Sequence, residues 1–168
     1  QVRATSFYWN NGEAVMGCRS GKCASDVVAL GNPLLWWVGI GALLLVLVAT
    51  FYYRNWRVGI IALGYIALYV PWLAYAHRTI FVFYTVAFAP FVALAVAWMI
   101  GLLAGWATID GSAEPAPATR RTQITGWAFA ALVTIAILGC AIYFMPLWRG
   151  DVVDYDFWRA HMWLQSWI

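Results

Sequence analysis

Four long apolar runs dominate the sequence, and no charged residue interrupts any of them. A bilayer core about 30 Å thick is crossed by roughly 20 apolar residues of helix, and each run meets or approaches that length. Because backbone groups in lipid must be hydrogen-bonded within their own segment, the runs predict transmembrane α-helices. The predicted spans are 34–53, 58–76, 79–107 and 124–148.

The third run is long for a single span, and it contains Pro90. A proline inside a helix predicts a kink or a tilt; alternatively, the first turns of this run stand outside the hydrocarbon. Aromatic side chains cluster near the ends of the runs, as expected for anchors at both membrane interfaces. These anchors are Trp36, Trp37, Tyr52, Tyr53, Trp56, Trp72, Trp106, Trp127 and Trp148.

The distribution of basic residues predicts the orientation. Four spans place both termini on one side, and the short linkers between the first and second and between the third and fourth spans on the other. Those linkers hold Arg54, Arg57, Arg120 and Arg121. By density of Arg they are predicted to be cytoplasmic, although by raw count the opposite side carries more basic residues. The prediction is an extracytoplasmic loop at 1–33, a four-helix membrane region at 34–148, and an aromatic extracytoplasmic tail at 149–168.

Composition excludes other classes of protein. Of 168 residues, 64% are hydrophobic and 10% are charged, whereas soluble domains carry about 25% charged residues. The net charge of +3 comes from scattered basic residues, so a nucleic-acid partner is not expected. The chain begins with Gln and shows no signal peptide, and we expect it to be a piece of a longer protein or a processed product.

Two cysteines lie close together in the N-terminal loop. Cys18 and Cys23 flank a short Gly-containing segment, and a pair at this spacing forms either a metal site or a disulfide. No second Cys or His pair lies nearby to complete four ligands, which favours the disulfide. Disulfides persist in oxidising compartments, in agreement with an extracytoplasmic loop. Cys140, within the fourth run, is interpreted as a small buried apolar residue.

The sharpest candidate for chemistry is His77-Arg78, which joins the second and third runs almost without a loop. An ionisable residue held near the membrane interface by two helices suggests a functional role. The guanidinium fork suits a phosphate, such as that of a lipid-linked sugar. The alternative is an Arg that extends toward ordinary lipid phosphates. His77 is a candidate phosphate ligand or proton carrier, or a residue that hydrogen-bonds a helix end.

Other polar residues give weaker indications. Asp151, Asp154 and Asp156 are interpreted as solvated loop acids. His161 lies in the C-terminal tail, and both histidines fall outside the apolar runs, which argues against haem. No acidic cluster, zinc motif, glycine-rich phosphate loop or nucleophile elbow is present, so neither a metal nor a cofactor is predicted.

The order of several short motifs around the four runs resembles one family. Residues 29–37 (ALGNPLLWW) look like the entry to the C-terminal four-helix membrane region of protein O-mannosyltransferases, and the two-Cys loop resembles the actinobacterial members. The resemblance covers nearly the whole chain. It continues through Pro71-Trp72, His77-Arg78-Thr79, Phe83-Tyr84, Phe157-Trp158-Arg159, Met162-Trp163-Leu164 and Ser166-Trp167-Ile168.

The resemblance implies an all-α integral membrane protein, part of a GT-C-type helical bundle in the plasma membrane. Such enzymes move mannose from polyprenyl-phosphate-mannose to Ser or Thr hydroxyls of exported proteins on the external face. The family's catalytic acid lies in the N-terminal half, which this chain lacks, so no catalytic residue is assigned here. Arg78 and His77 are expected at the donor phosphate, and Asn32, Trp36 and Tyr84 are candidates for the pocket.

Two other functions stay open on the sequence. A lipid or sugar transporter fragment needs polar groups at mid-membrane, but the runs contain only scattered Thr, Tyr and Gly. A non-catalytic assembly subunit would use small residues for close helix packing, and Gly101 and Gly105 have the small-xxx-small spacing.

Overall fold

The structure is a computed structural model that describes residues 5–11, 18, 22–74, 82–112, 119–164 and 167. The helices are α1 (Pro33–Phe51), α2 (Trp56–Leu73), α3 (Ala89–Ala104), α4 (Arg120–Arg149) and α5 (Tyr155–His161), with a 3₁₀ helix at Val82–Ala87. The strands are β1 (Thr5–Asn11), β2 (Cys23–Ala29) and β3 (Val153–Asp154). The chain folds into two compact units.

The first unit, here called the helical unit, contains α1, α2, α3 and the first part of α4. Small and β-branched side chains form its core, so the helices approach closely. Ala42 and Val46 of α1, Ala62 of α2, and Ala95 of α3 are buried there. Large apolar side chains such as Leu44, Leu63 and Leu132 stay exposed on the helix surfaces. Apolar surfaces of this kind are what lipid-facing helices present.

Three of the helices are long and apolar enough to cross a membrane, namely α1, α2 and α4, with α3 as a shorter apolar helix of 16 residues. This confirms a helical membrane protein. The third predicted span differs from the expectation of one long kinked helix. Its described part is a 3₁₀ helix followed by α3, and Pro90 stands in the first turn of α3. A proline is tolerated there because its missing N–H would have no helical partner.

The loop between α1 and α2 is fixed by Asn55. Its side-chain oxygen accepts a hydrogen bond from the Val58 amide and so caps α2. Its side-chain nitrogen donates to the carbonyl of Ile109, in the loop that follows α3. One buried side chain therefore ties the start of α2 to the loop that follows α3.

The second unit, here called the sheet unit, contains the three strands, α5 and the C-terminal part of α4. The sheet is antiparallel with the order β1-β2-β3. Trp158 and Met162 pack with Ala24, Val28 and Leu147 in its core. These segments are predicted from the sequence as loop and tail, so the sheet is an addition to the predicted helices.

The two cysteines of the N-terminal segment are bonded to each other in the structure, and their Cα atoms are 5.7 Å apart. Cys140 is free and buried.

Candidate functional site

The predicted phosphate ligands His77 and Arg78 lie outside the described residues. The structure describes both flanks of this segment: α2 ends at Leu73, and the 3₁₀ helix begins at Val82. A role of Arg78 or His77 at a donor phosphate therefore stays a prediction.

The three candidate pocket residues are all described. Asn32 is buried immediately before α1, Trp36 is half-buried in the first turn of α1, and Tyr84 is half-buried in the 3₁₀ helix. Asn32 and Tyr84 belong to the sheet unit, and Trp36 belongs to the helical unit. Their joint role in one pocket stays a prediction.

An aromatic cluster lies in the helical unit around Phe88, the residue that precedes α3. The Phe88 ring meets Trp36 of α1 edge-on at 5.9 Å, and meets Tyr65 and Tyr69 of α2 edge-on at 5.2 and 5.6 Å between ring centroids. Edge-to-face pairs at such distances add to the stability gained from burial alone. The cluster gives Trp36 a packing role, which could not be foreseen because no local pattern pairs Trp36 with Phe88.

The second cluster lies in the sheet unit around His161, whose side chain is fully buried. Its Nδ1 lies 2.7 Å from the carbonyl oxygen of Phe157, and its Nε2 lies 2.9 Å from that of Tyr143. The ring stacks on Tyr143 at 3.8 Å and meets Phe144 edge-on. A neutral imidazole carries one N–H and can donate to only one of the two carbonyls, whereas a doubly protonated ring donates to both.

A buried carboxyl group lies on β2 in the same unit. Asp26 is 3% exposed, and its Oδ2 accepts a hydrogen bond of 2.9 Å from the indole N–H of Trp158. Its Oδ1 is buried without a hydrogen-bond partner among the described residues. Such a group is costly when left unpaired, so the bond from Trp158 is important for the packing of α5 on the sheet. No pattern in the sequence around Asp26 predicts this burial.

The acidic residues of the tail are at the surface. Asp154 and Asp156 are exposed and line an open cleft of about 640 Å³ together with Lys22, Tyr155 and Phe157. Asp151 forms an exposed ion pair with Arg149 at 3.8 Å. These positions agree with the interpretation of solvated acids. Among the residues that the structure describes, no three His, Cys, Asp or Glu side chains are grouped to hold a metal ion.

These features define a helical membrane protein with a disulfide-linked sheet unit. Its described part holds aromatic packing clusters and surface acids. No model of a known protein family matches the chain, and no solved structure matches it.

Curated relatives carry one name, polyprenol-phosphate-mannose–protein mannosyltransferase. The chain is 28% identical to the protein of that name from Mycolicibacterium smegmatis over 161 residues, which are 96% of this chain and 30% of the relative. It is 25% identical to that of Mycobacterium tuberculosis over 153 residues, which are 91% of this chain and 28% of the relative. It is 28% identical to that of Corynebacterium glutamicum over 147 residues, 88% of this chain and 26% of the relative.

The predicted resemblance to actinobacterial protein mannosyltransferases is therefore confirmed. The chain spans less than a third of the length of the relatives it matches.

Proposed function

We propose that this chain is the C-terminal membrane portion of a protein O-mannosyltransferase. The longer protein would transfer mannose from polyprenyl-phosphate-mannose to Ser or Thr hydroxyls of exported proteins. The observation that carries the proposal is the similarity to three actinobacterial enzymes over 88 to 96% of this chain. The membrane-crossing helices α1, α2 and α4 support it, because a lipid-linked sugar is presented at a membrane surface.

The catalytic division of labour follows from the chemistry of the transfer. A base takes the proton of the acceptor hydroxyl as the oxygen attacks the sugar, and the lipid phosphate leaves. We assign the base to the N-terminal half of the longer protein, because the described acids Asp154 and Asp156 are exposed surface groups and Asp26 is enclosed in a packing core. This chain contributes to binding the donor.

Arg78 is proposed to bind the donor phosphate, with His77 beside it. The support comes from the sequence, since the pair joins two apolar runs almost without a loop. A guanidinium donates two parallel hydrogen bonds to a phosphate and stays charged. It would therefore stabilise the negative charge that grows on the leaving phosphate. Asn32, Trp36 and Tyr84 are proposed to shape the adjoining pocket.

The active face is proposed to be extracytoplasmic, in the plasma membrane. The disulfide between Cys18 and Cys23 supports this orientation for the sheet unit, because such bonds persist in oxidising compartments. The Arg residues of the two short linkers support it from the other side.

The test uses membranes that contain the complete protein, radiolabelled polyprenyl-phosphate-mannose and a Ser/Thr-rich acceptor peptide. Arg78→Ala is expected to lower turnover about 100-fold, as for loss of one preorganised donor at a developing charge, and Arg78→Lys is expected to restore part of it. Arg149→Ala is the matched control, because Arg149 is an exposed residue paired with Asp151. Its transfer rate should equal that of the wild type.

The other outcomes separate the parts of the proposal. Unchanged transfer by Arg78→Ala would agree with the proposed mannosyltransferase activity and would contradict the phosphate role of Arg78. No transfer by a folded wild-type protein contradicts the enzyme itself. Flux of a lipid-linked sugar in liposomes would then identify a transporter, and co-purification with a large partner would identify an assembly subunit.

A further inference from the structure

One end of the helical unit is strongly basic. Arg54 and Arg57 lie at the start of α2, Arg120 and Arg121 lie at the start of α4, and all four are exposed. Contacts bring these two regions to the same end. Asn55 bonds the loop after α3, and Trp106 of that loop meets Trp127 of α4 edge-on at 4.4 Å.

The acidic residue described at this end, Asp110, is hydrogen-bonded to its own loop. Asp110 accepts hydrogen bonds from the amide and the hydroxyl of Ser112, at 3.0 and 2.8 Å. These bonds hold the pKa of the Asp110 carboxyl below its usual range. No carboxylate among the described residues lies within ion-pairing distance of Arg57, whose guanidinium lies 5.9 Å from the centroid of the Trp56 ring. Asp110 therefore stays anionic, but four arginines against this one described carboxylate leave the described part of this end with a net positive charge that can attract an anion.

A cavity of about 390 Å³ opens beside Arg57, and we call it the Arg57 cavity. Its walls combine one cation, two indole rings, two hydroxyl residues and apolar side chains of α2. They include Arg57, Trp98, Trp106, Thr108, Ser112 and Val58. The Asn55 side chain bonds both walls of the cavity, through the carbonyl of Ile109 in the loop after α3 and through the Val58 amide at the start of α2.

The surroundings of the cavity are those of a membrane interface. Trp56, Trp106 and Trp127 are exposed, as indole rings at the headgroup level are. Ile60 and Leu63 are exposed on α2, in the turns that follow Arg57. A molecule with an anionic head and apolar chains would therefore meet the guanidinium at its head and apolar side chains along its tail.

We propose that the Arg57 cavity binds the phosphate head of an anionic phospholipid. Arg57 donates paired hydrogen bonds to the phosphate oxygens, and the rings of Trp98 and Trp106 flank the glycerol region. The proposed lipid site uses other residues than the proposed donor site, and it does not depend on the proposed function. The bound lipid would offset part of the positive charge at the helix ends and would contact the loop after α3.

The experiment is native mass spectrometry of the complete protein in detergent, titrated with phosphatidylglycerol or with phosphatidylcholine of the same acyl chains. The wild type is expected to bind phosphatidylglycerol about tenfold more tightly, because its head group is a net anion, whereas the choline cation of phosphatidylcholine offsets the phosphate charge that faces Arg57. Arg57→Gln is expected to remove the preference, and Arg57→Lys to keep part of it. Arg159→Gln is the matched control, since it removes the charge of another exposed arginine, in the sheet unit.

Three results would overturn the proposal. The first is equal binding of the two lipids by the wild type. The second is a preference that survives in Arg57→Gln, whether or not Trp106→Leu, which removes an exposed indole of the cavity, weakens the binding of both lipids. The third is displacement of the lipid by inorganic phosphate at equal concentration, which would identify a free-phosphate site instead. Thermal unfolding of each variant confirms that it is folded before binding is compared.

Discussion

At the scale of single residues, the sheet unit is organised by polar side chains that lie inside a packed core. His161 and Asp26 are both buried, and each is bonded to a group that is distant in sequence. Burying such groups costs free energy unless their hydrogen bonds are made. Their partners are therefore as constrained as the residues themselves, and the bonds specify how α5 lies against β2 and α4.

The bond between Trp158 and Asp26 gives the first stability prediction. Trp158→Phe keeps the apolar ring but leaves both oxygens of the Asp26 side chain buried without a partner among the described residues. We expect the free energy of unfolding to fall by about 1.5–3 kcal/mol, the range for a hydrogen bond to a carboxylate. Thermal unfolding of the complete protein in detergent measures the change.

Trp56→Phe is the matched control, because it makes the same substitution at a surface position, where Trp56 is 71% exposed. Its effect should stay within about 0.5 kcal/mol. The variant Asp26→Ala combined with Trp158→Phe should cost less than the sum of the two single changes. Equal melting temperatures for Trp158→Phe and Trp56→Phe would contradict the role of the bond.

Little of this residue-scale detail could be predicted from the sequence. Asp26 and Trp158 are 132 positions apart, and nothing in the local pattern pairs them. The sequence places His161 only in a tail, since its burial depends on Tyr143 and Phe144 of another element. The bond between Cys18 and Cys23 is easier to predict from the sequence, because it depends on the local spacing of two close cysteines.

At the scale of elements, hydropathy predicts the helices well and their interruptions poorly. The spans at 34–53 and 124–148 correspond to α1 and α4, because lipid requires long apolar helices. The run at 79–107 is equally apolar, yet its helix begins only at Ala89. Hydropathy does not register such a change, since it depends on the backbone at Phe88 and Pro90. The sequence does not predict the strands, because a segment of seven residues or fewer is too short to show a clear alternation of apolar and polar positions.

One close approach between α3 and α4 gives a prediction at this scale. A Cβ atom added at Gly126 of α4 would overlap the carbonyl oxygen of Leu103 in α3. Because backbone atoms cannot move aside as a flexible side chain can, Gly126→Ala must push the helices apart. We expect it to lower the free energy of unfolding by about 1–3 kcal/mol, the usual cost of overpacking. Thermal unfolding in detergent measures it.

The same helix supplies the control. A Cβ at Gly139 meets no atom within 4 Å, and alanine is favoured over glycine in helices by about 1 kcal/mol. Gly139→Ala should therefore leave stability unchanged or raise it. If both substitutions changed the free energy of unfolding equally, the contact between Gly126 and Leu103 would not explain the loss of stability.

At the scale of the whole molecule, the proposed orientation is supported by two features. Cys18 and Cys23 of the sheet unit are bonded to each other, and the exposed arginines of the helical unit lie just before α2 or in the first turns of α2 and α4. The first indicates an oxidising compartment and the second indicates the cytoplasm. The proposed transfer requires this arrangement, because an exported acceptor is reached only from the external face.

Thiol labelling tests the orientation directly in the complete protein, with cysteines outside this chain replaced. Before reduction, a membrane-impermeant maleimide should leave intact spheroplasts unlabelled, because Cys18 is bonded to Cys23 and Cys140 is buried. After an impermeant reductant, the pair should label from outside. Thr119→Cys, at an exposed linker position, should label only after permeabilisation. Labelling of Thr119→Cys in intact spheroplasts would contradict the proposed orientation, because it would show that this linker is extracytoplasmic. The donor site of the proposed transferase would then lie on the wrong side of the membrane for exported acceptors.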